Sequence, residues 1–350
     1  MRTLPTLPTA NRSFDGLGVL LSVVGMFLVV FGVQEGATYD WGTIAGPITV
    51  WSVIGVGLLV LVAFVLWQRH LGSDALLPLS LFHHRNFSLS NVAGAAVSFA
   101  MMGIFFPFTL FLQEVLGLEP LQAALVGLPG SLISGVVAPF AGRLSDKIAG
   151  KWVVASGFAL LAVAITWLAV AVQPDAPVWH LVLPMILFGV GTGALFSPLA
   201  NLATSGLDGR TAGAGAGAFN TTRQIGGVIG SAAVVAMLTS RLAVTIPAAA
   251  KDAAGQLPEE LRQPFVDGFA SGSFASGAAP QLPSSVPADV AARIQDVALQ
   301  AVHSGFATAV TQTMLLTVGV LVLGLVASLA MKGGRPVHHA PAQQPVAAEV

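Results

Sequence analysis

The sequence has 350 residues, of which 55% are hydrophobic and only 9% charged, and its formal net charge is -1. A water-soluble domain carries roughly a quarter charged residues, so so little charge cannot cover a soluble surface of this size, and the near-neutral balance points away from nucleic acid. No cysteine is present, which excludes disulfide frameworks, thiolate metal sites and cysteine nucleophiles together.

In chain order, apolar runs occupy 17–33, 48–67, 90–112, 121–141, 152–172, 178–200, 213–238 and 306–331. Each approaches the 20 or so residues needed to cross the hydrocarbon core. They predict an all-α, polytopic membrane helix bundle of about eight transmembrane helices, with membrane lipid as its solvent. The first run is too long for a signal-peptide core and leads into further spans. Pro107, Pro129, Pro139, Pro184 and Pro198 fall inside runs. Such prolines are tolerated where neighbouring helices re-satisfy the backbone, so they predict a packed bundle. The expected organisation is an N-terminal segment 1–16, a helix pair 17–67, a linker 68–89, a six-helix bundle 90–331 and a disordered tail 332–350. Within the bundle, 239–305 is rich in Pro, Ser, Gly and Ala. It reads as an extracytoplasmic cap of irregular chain with helix-like pieces at 258–269 and 288–302.

Charge placement orients the spans. Arg2, Arg12, Arg69, Arg85, Arg143, Lys147, Lys151, Arg210, Lys332 and Arg335 all fall on one side. The short opposite loops, 34–47, 113–120 and 173–177, hold no Lys or Arg but contain Glu35, Asp40, Glu114, Glu119 and Asp175. The positive-inside rule then predicts a multi-pass protein of the cell membrane with both termini cytoplasmic.

The run PFAGRLSDKIAGKW, from Pro139 to Trp152, joins the fourth and fifth spans. Gly142 and Gly150 permit a tight reversal, and Asp146 is placed to cap the next helix or to pair with Arg143, Lys147 or a neighbouring helix end. Lys151 completes the basic set. This segment resembles the cytoplasmic loop of the major facilitator superfamily. Three others resemble the fourteen-helix drug:proton antiporters of the EmrB/QacA type: Pro78 to Phe82 with Arg85-Asn86-Phe87, Leu112 to Gly117 with Leu128-Pro129, and Ala218 to Gly227. The resemblance implies a central helix pair followed by a C-terminal six-helix bundle, with the N-terminal six-helix bundle missing. It further implies efflux by alternating access, a small amphipathic organic substrate, protons as coupling ion and a separate N-terminal half-transporter as possible partner.

Two polar stripes are candidate cavity walls. Arg223 is the one basic residue deep in a span, where a charge costs about 2.5–3.5 kcal/mol unless it meets a cavity or partner. Asn220, Arg223, Gln224, Gly227 and Ser231 share one helical face, although an arginine reaching back to the membrane surface fits the spacing too. In the third span Asn91, Ser98, Met102, Phe105, Thr109 and Gln113 recur every three or four residues or at multiples of that spacing, and Gln312 offers a weaker version in the last. Helix-to-helix hydrogen bonding explains these residues as well as a substrate cavity does. Gly189, Gly191 and Gly193, with Gly226, Gly227 and Gly230, read as close-packing positions. No carboxylate lies in mid-span, and no enzymatic cluster, metal site or cofactor is expected. The alternative is a truncated, non-transporting fragment or scaffold.

Overall fold

The computed structural model describes residues 15–36, 38–72, 75–270 and 288–332. Asp15 opens helix α1, Gly16–Glu35, by accepting a hydrogen bond from the Gly18 amide at 2.8 Å. A short hairpin, β1 (Thr43–Ala45) and β2 (Ile48–Thr49), leads into α2, Val50–Leu71. There Thr49 and Ser52 cap each other reciprocally at 3.1 and 2.9 Å. The Asp15 carboxylate also accepts from Trp67 Nε1 at 3.0 Å and Gln68 Nε2 at 2.7 Å. Gln68 in turn accepts from the Leu77 amide at 2.8 Å. One carboxylate thereby ties the start of α1, the end of α2 and the linker beyond. Removal from water raises the pKa of Asp15, but its donors together outweigh that and hold the carboxyl below its ordinary pKa.

Six further long helices form the bundle: α3 (Arg85–Leu110), α4 (Pro120–Lys147), α5 (Gly150–Ala171), α6 (Trp179–Thr204), α7 (Gly209–Ala253) and α9 (Ala288–Leu329). The shorter α8, Glu259–Ala270, lies between the last two. Prolines 107, 129, 139, 184, 198 and 247 are accommodated without ending a helix, and α3 passes beyond Pro107 into a π-turn, Phe111–Val115. Eight helices are long and apolar enough to cross a membrane, so the protein is multi-pass.

The core of the bundle is built from Phe108, Phe158, Leu161, Met185, Leu195 and Met314 with their neighbours. Glycines let the backbones approach. A Cβ on Gly189 would meet the carbonyl oxygen of Gly130 on α4, and one on Gly191 would sit 3.0 Å from the Leu161 amide nitrogen on α5. Alternate glycines therefore press α6 against opposite neighbours, as small residues do in membrane helix pairs. Gly226 on α7 meets the Ala95 backbone of α3 in the same way. At one end of the bundle Asn86 and Lys332 exchange hydrogen bonds of 2.8 and 3.1 Å, joining the start of α3 to the end of α9. Arg85, Arg143, Lys147 and Lys151 belong to this basic end, and 34–49 to the far end.

In the segment 239–305 the helix-like pieces expected at 258–269 and 288–302 are present as α8 and the start of α9, but the irregular chain expected directly after the seventh span is helical. α7 runs on to Ala253 and α9 begins at Ala288, so at about 1.5 Å per residue each helix extends more than 20 Å past a 30 Å hydrocarbon core. Falling hydropathy ends a membrane span but not a helix, which stops only at a breaker or cap. Apolar residues continue at helical spacing, and Ala250, Leu257, Phe265, Ile294, Val297 and Ala301 form a second core outside the main one. Thr245 donates to the Gly305 carbonyl at 2.7 Å where the two long helices emerge. The expected tail 332–350 lies outside the described residues except for Lys332, as does 271–287.

Candidate functional site

The glycine-bounded basic segment is not a loop. α4 continues to Lys147, so Gly142, Arg143, Asp146 and Lys147 lie on its last two turns, and only Ile148 and Ala149 separate it from Gly150, the first residue of α5. Gly142 packs near Ser197 of α6, and Gly150 near Leu202. Arg143, Asp146 and Lys147 are exposed, whereas Lys151 lies 5.0 Å over the Trp152 ring. The expectation that Asp146 caps α5 is corrected: the cap position is Ala149, without a side-chain bond. Among the described residues Asp146 has neither a hydrogen-bond nor an ion-pair partner. It remains helical because α4 outlasts the glycine, and this leaves an anion at a helix C-terminus, where the helix dipole disfavours it.

The stripe on α3 keeps to one face, but its surroundings change along the helix. Asn91 is buried; its amide nitrogen donates to the Phe87 carbonyl at 2.8 Å and its oxygen has no partner. Ser98 is half-buried near Gly227, whereas Met102 and Phe105 are 44% and 42% exposed and Thr109 is exposed. Phe105 meets Phe188 of α6 edge-on, with centroids 5.8 Å apart. A cavity of about 230 Å³ opens here between α3, α4 and α6, lined by Met101, Phe105, Met185, Phe188, Thr192 and Phe196 among others. A second, of about 340 Å³, shares Phe105, Gly127, Ser131 and Met185 and reaches Thr109.

On α7, Arg223 is half-buried and Asn220 and Gln224 are exposed. The guanidinium carbon lies 5.3 Å from the centroid of Phe196, and Nη2 donates to Asn220 Oδ1 at 3.5 Å. No carboxylate pairs with it among the described residues. Phe196 is thus shared: one side lines the smaller cavity and a face carries the cation. The structure brings Phe105 and Arg223 to this aromatic wall, with Asn220 held by Arg223, while Thr109 lines only the second cavity. Neither cavity is lined by Asn91, Ser98, Met102, Gln113, Asn220, Arg223, Gln224 or Gln312; Gln312 is half-buried on α9, and its buried oxygen has no partner.

Sequence reasoning passed over the contribution of α6. Phe188, Thr192 and Phe196 recur every four residues and mark a face as clearly as the stripe on α3 does, but the intervening glycines drew the reading toward packing. The hydroxyl of Thr192 bonds to the Phe188 carbonyl at 3.0 Å and to Ser134 of α4 at 3.1 Å.

Residues 8–231 match the family model described as Major Facilitator Superfamily. An uncharacterized MFS-type transporter of Mycobacterium tuberculosis is 41% identical over 271 residues, 75% of this chain and 46% of that protein. The multidrug export protein EmrB of Escherichia coli is 26% identical over 67% of this chain and 45% of its own length. Among solved structures, a bacterial homolog to human lysosomal transporter Spinster, in an inward-facing and occupied conformation, superposes with a TM-score of 0.53 at 16% identity. That superposition covers 89% of this chain and 64% of the other. The chain spans a little under half the length of the curated relatives it matches.

Proposed function

The chain belongs to the Major Facilitator Superfamily, and from that premise we propose that it forms the C-terminal bundle and central helix pair of a proton-coupled exporter of amphipathic drugs or metabolites. The observation that carries the reading is the Arg223 guanidinium stacked on Phe196 at the edge of an aromatic cavity. A cation held without a carboxylate on Phe196, which lines a cavity with Phe105, Phe188 and Met185, suits a substrate with an apolar body and a polar or anionic group. The EmrB relative, a multidrug exporter by name, supports the drug class.

Alternating access rocks two bundles about a shared site, and proton exchange needs a group that titrates as the site turns. Arg223 stays protonated at physiological pH and cannot serve. The chain therefore works with a second helical bundle that holds the coupling carboxylate. Asp146, an anion at the end of α4, acts as a latch whose partner appears in another state of the transport cycle. The basic end faces the cytoplasm of the cell, and the 239–305 segment faces outward.

The test is reconstitution in liposomes with an imposed pH gradient. The 350-residue chain alone is expected to accumulate no amphipathic probe, and co-reconstitution with the N-terminal bundle of a relative is expected to give gradient-dependent accumulation. Uptake by the chain alone overturns the need for a second bundle. In the active assembly Arg223→Ala should lower uptake at least about tenfold with unchanged thermal stability, and wild-type uptake in that variant refutes the site. A cysteine at Ser145 should resist an impermeant external reagent in intact cells; labelling reverses the orientation.

A further inference from the structure

A third cavity, of about 460 Å³, lies at the far end of the molecule, away from the wall that holds Arg223. It opens between the hairpin side of the central helix pair and α7. Val33, Asp40 and Trp41 line one side; Ser231, Ala232 and Thr239 line the other. Its volume falls within the range of small-molecule sites, about 300–1,000 Å³.

Two features give it chemical character. Asp40 and Trp41 adopt φ of +47° and +57°, a left-handed conformation that non-glycine residues rarely take and bulky ones least of all. The turn is braced: the Trp41 amide donates to the Gly36 carbonyl at 2.7 Å and the Gly42 amide to the Tyr39 carbonyl at 2.7 Å. Trp41 itself is wedged between Gly36, where a Cβ would come within 2.8 Å of the indole, and Trp51, whose ring centroid is 5.4 Å away. The turn and the indole are thereby fixed at the cavity before any ligand arrives, with the exposed Asp40 side chain beside them. Across the cavity, Ser231 already donates its proton to the Val228 carbonyl at 2.8 Å, and Thr239 donates to Val235 at 2.9 Å. Both hydroxyl oxygens are left to accept. Asp40 is the one ionisable residue of this lining among the described residues, so the cavity offers a negative charge, acceptor oxygens, an aromatic face and small apolar groups.

We propose that this cavity is a binding site for an organic cation with an apolar body, held by the Asp40 carboxylate and the Trp41 ring. Two sources share that chemistry: a free amphipathic cation and the quaternary ammonium headgroup of a phospholipid. The site is distinct from the wall at Phe196, where the fixed charge is positive, and it requires no transport.

The test measures binding of radiolabelled tetraphenylphosphonium to the purified 350-residue chain in phosphatidylglycerol nanodiscs, with empty nanodiscs subtracted. Uncharged triphenylphosphine oxide serves as the control. Asp40→Asn should weaken binding of the cation about tenfold, as loss of one partly solvated charge pair does, and leave the neutral control unchanged. Asparagine tolerates the left-handed backbone, so this variant should fold. Ala232→Trp, which fills the cavity, should abolish binding of both ligands. Unchanged cation binding in either variant, or equal weakening of the neutral control by Asp40→Asn, overturns the proposal. Phosphatidylcholine nanodiscs separate the sources: competition there identifies a lipid headgroup as the resident, and undiminished affinity identifies a free cation.

Discussion

The central helix pair and the two best-covered helices of the bundle, α5 and α6, are all apolar and all long enough to span a membrane, yet they are packed in opposite ways; α4 and α7 of the same bundle, 17% buried, resemble the pair. In α1 and α2 only 17% and 11% of the span is buried within the protein, against 56% and 61% in α5 and α6. The pair faces its surroundings with Leu20, Phe27, Trp51, Leu59 and Leu66, while the bundle hides Phe158, Leu161, Met185 and Leu195. Hydropathy therefore reports that a helix meets lipid or protein but not which of the two. Within either region, the faces that meet another helix are marked by small residues. Gly189, Gly191 and Gly226 in the bundle sit where a side chain would strike another helix, as do Gly32 and Gly57 where α1 meets α2, whereas Gly55 of α2 has open space around it.

The sharpest way to break this contrast is to add side chains on both sides of it. Gly189→Val should destabilise the bundle by about 3 kcal/mol or more, because the obstacle is the Gly130 backbone and cannot rotate away. Thermal unfolding in detergent micelles reads the loss; a variant as stable as the parent would show that α4 and α6 are not held at this contact. Next in size is Asp15, which joins the pair to the linker. Asp15→Ala removes a helix cap and two side-chain bonds and should cost about 2 kcal/mol, with proteolysis between α2 and α3 accelerated. A cleavage rate equal to the parent's would deny the clamp.

The same residue predicts a smaller effect of acid. Its folded-state pKa lies below the ordinary 3.8, so its contribution is complete above that pH and disappears as pH falls through the lower folded value. The stability gap between the parent and Asp15→Asn should narrow in that acid window and stay constant above it, measured by unfolding midpoints at stepped pH. A gap that persists at the acid end would assign the stabilisation to something other than the carboxylate. The smallest effect belongs to Gly55→Val, expected to change stability by less than about 0.5 kcal/mol. A large loss there would mean that α2 packs against something beyond the described residues.

Much of the fold was legible. Every predicted span overlaps a helix, since crossing lipid demands a long apolar run with its hydrogen bonds satisfied internally, and such a run is visible in one dimension. The basic segment 142–151 was legible as a chemical set but not as a shape, because whether α4 stops at Gly142 or runs on to Lys147 depends on packing against neighbours such as Ser197 on α6. Half of the candidate site was legible too. Phe105 and Arg223 stood out, one by its stripe and the other by its charge, while the Phe196 that links them to the cavity looked like one more apolar residue among glycines.

By itself the sequence determined the number of spans, the separation of charge between the two ends and the family to which the chain belongs. Each depends on the chain's own composition and order. Tertiary structure alone decided which helices hide from lipid, that 239–253 and 288–305 continue α7 and α9 as helices around a second core, and that Arg223 rests on Phe196. Those outcomes depend on close approach between residues distant in sequence, and a local apolar pattern carries no record of what lies across the gap.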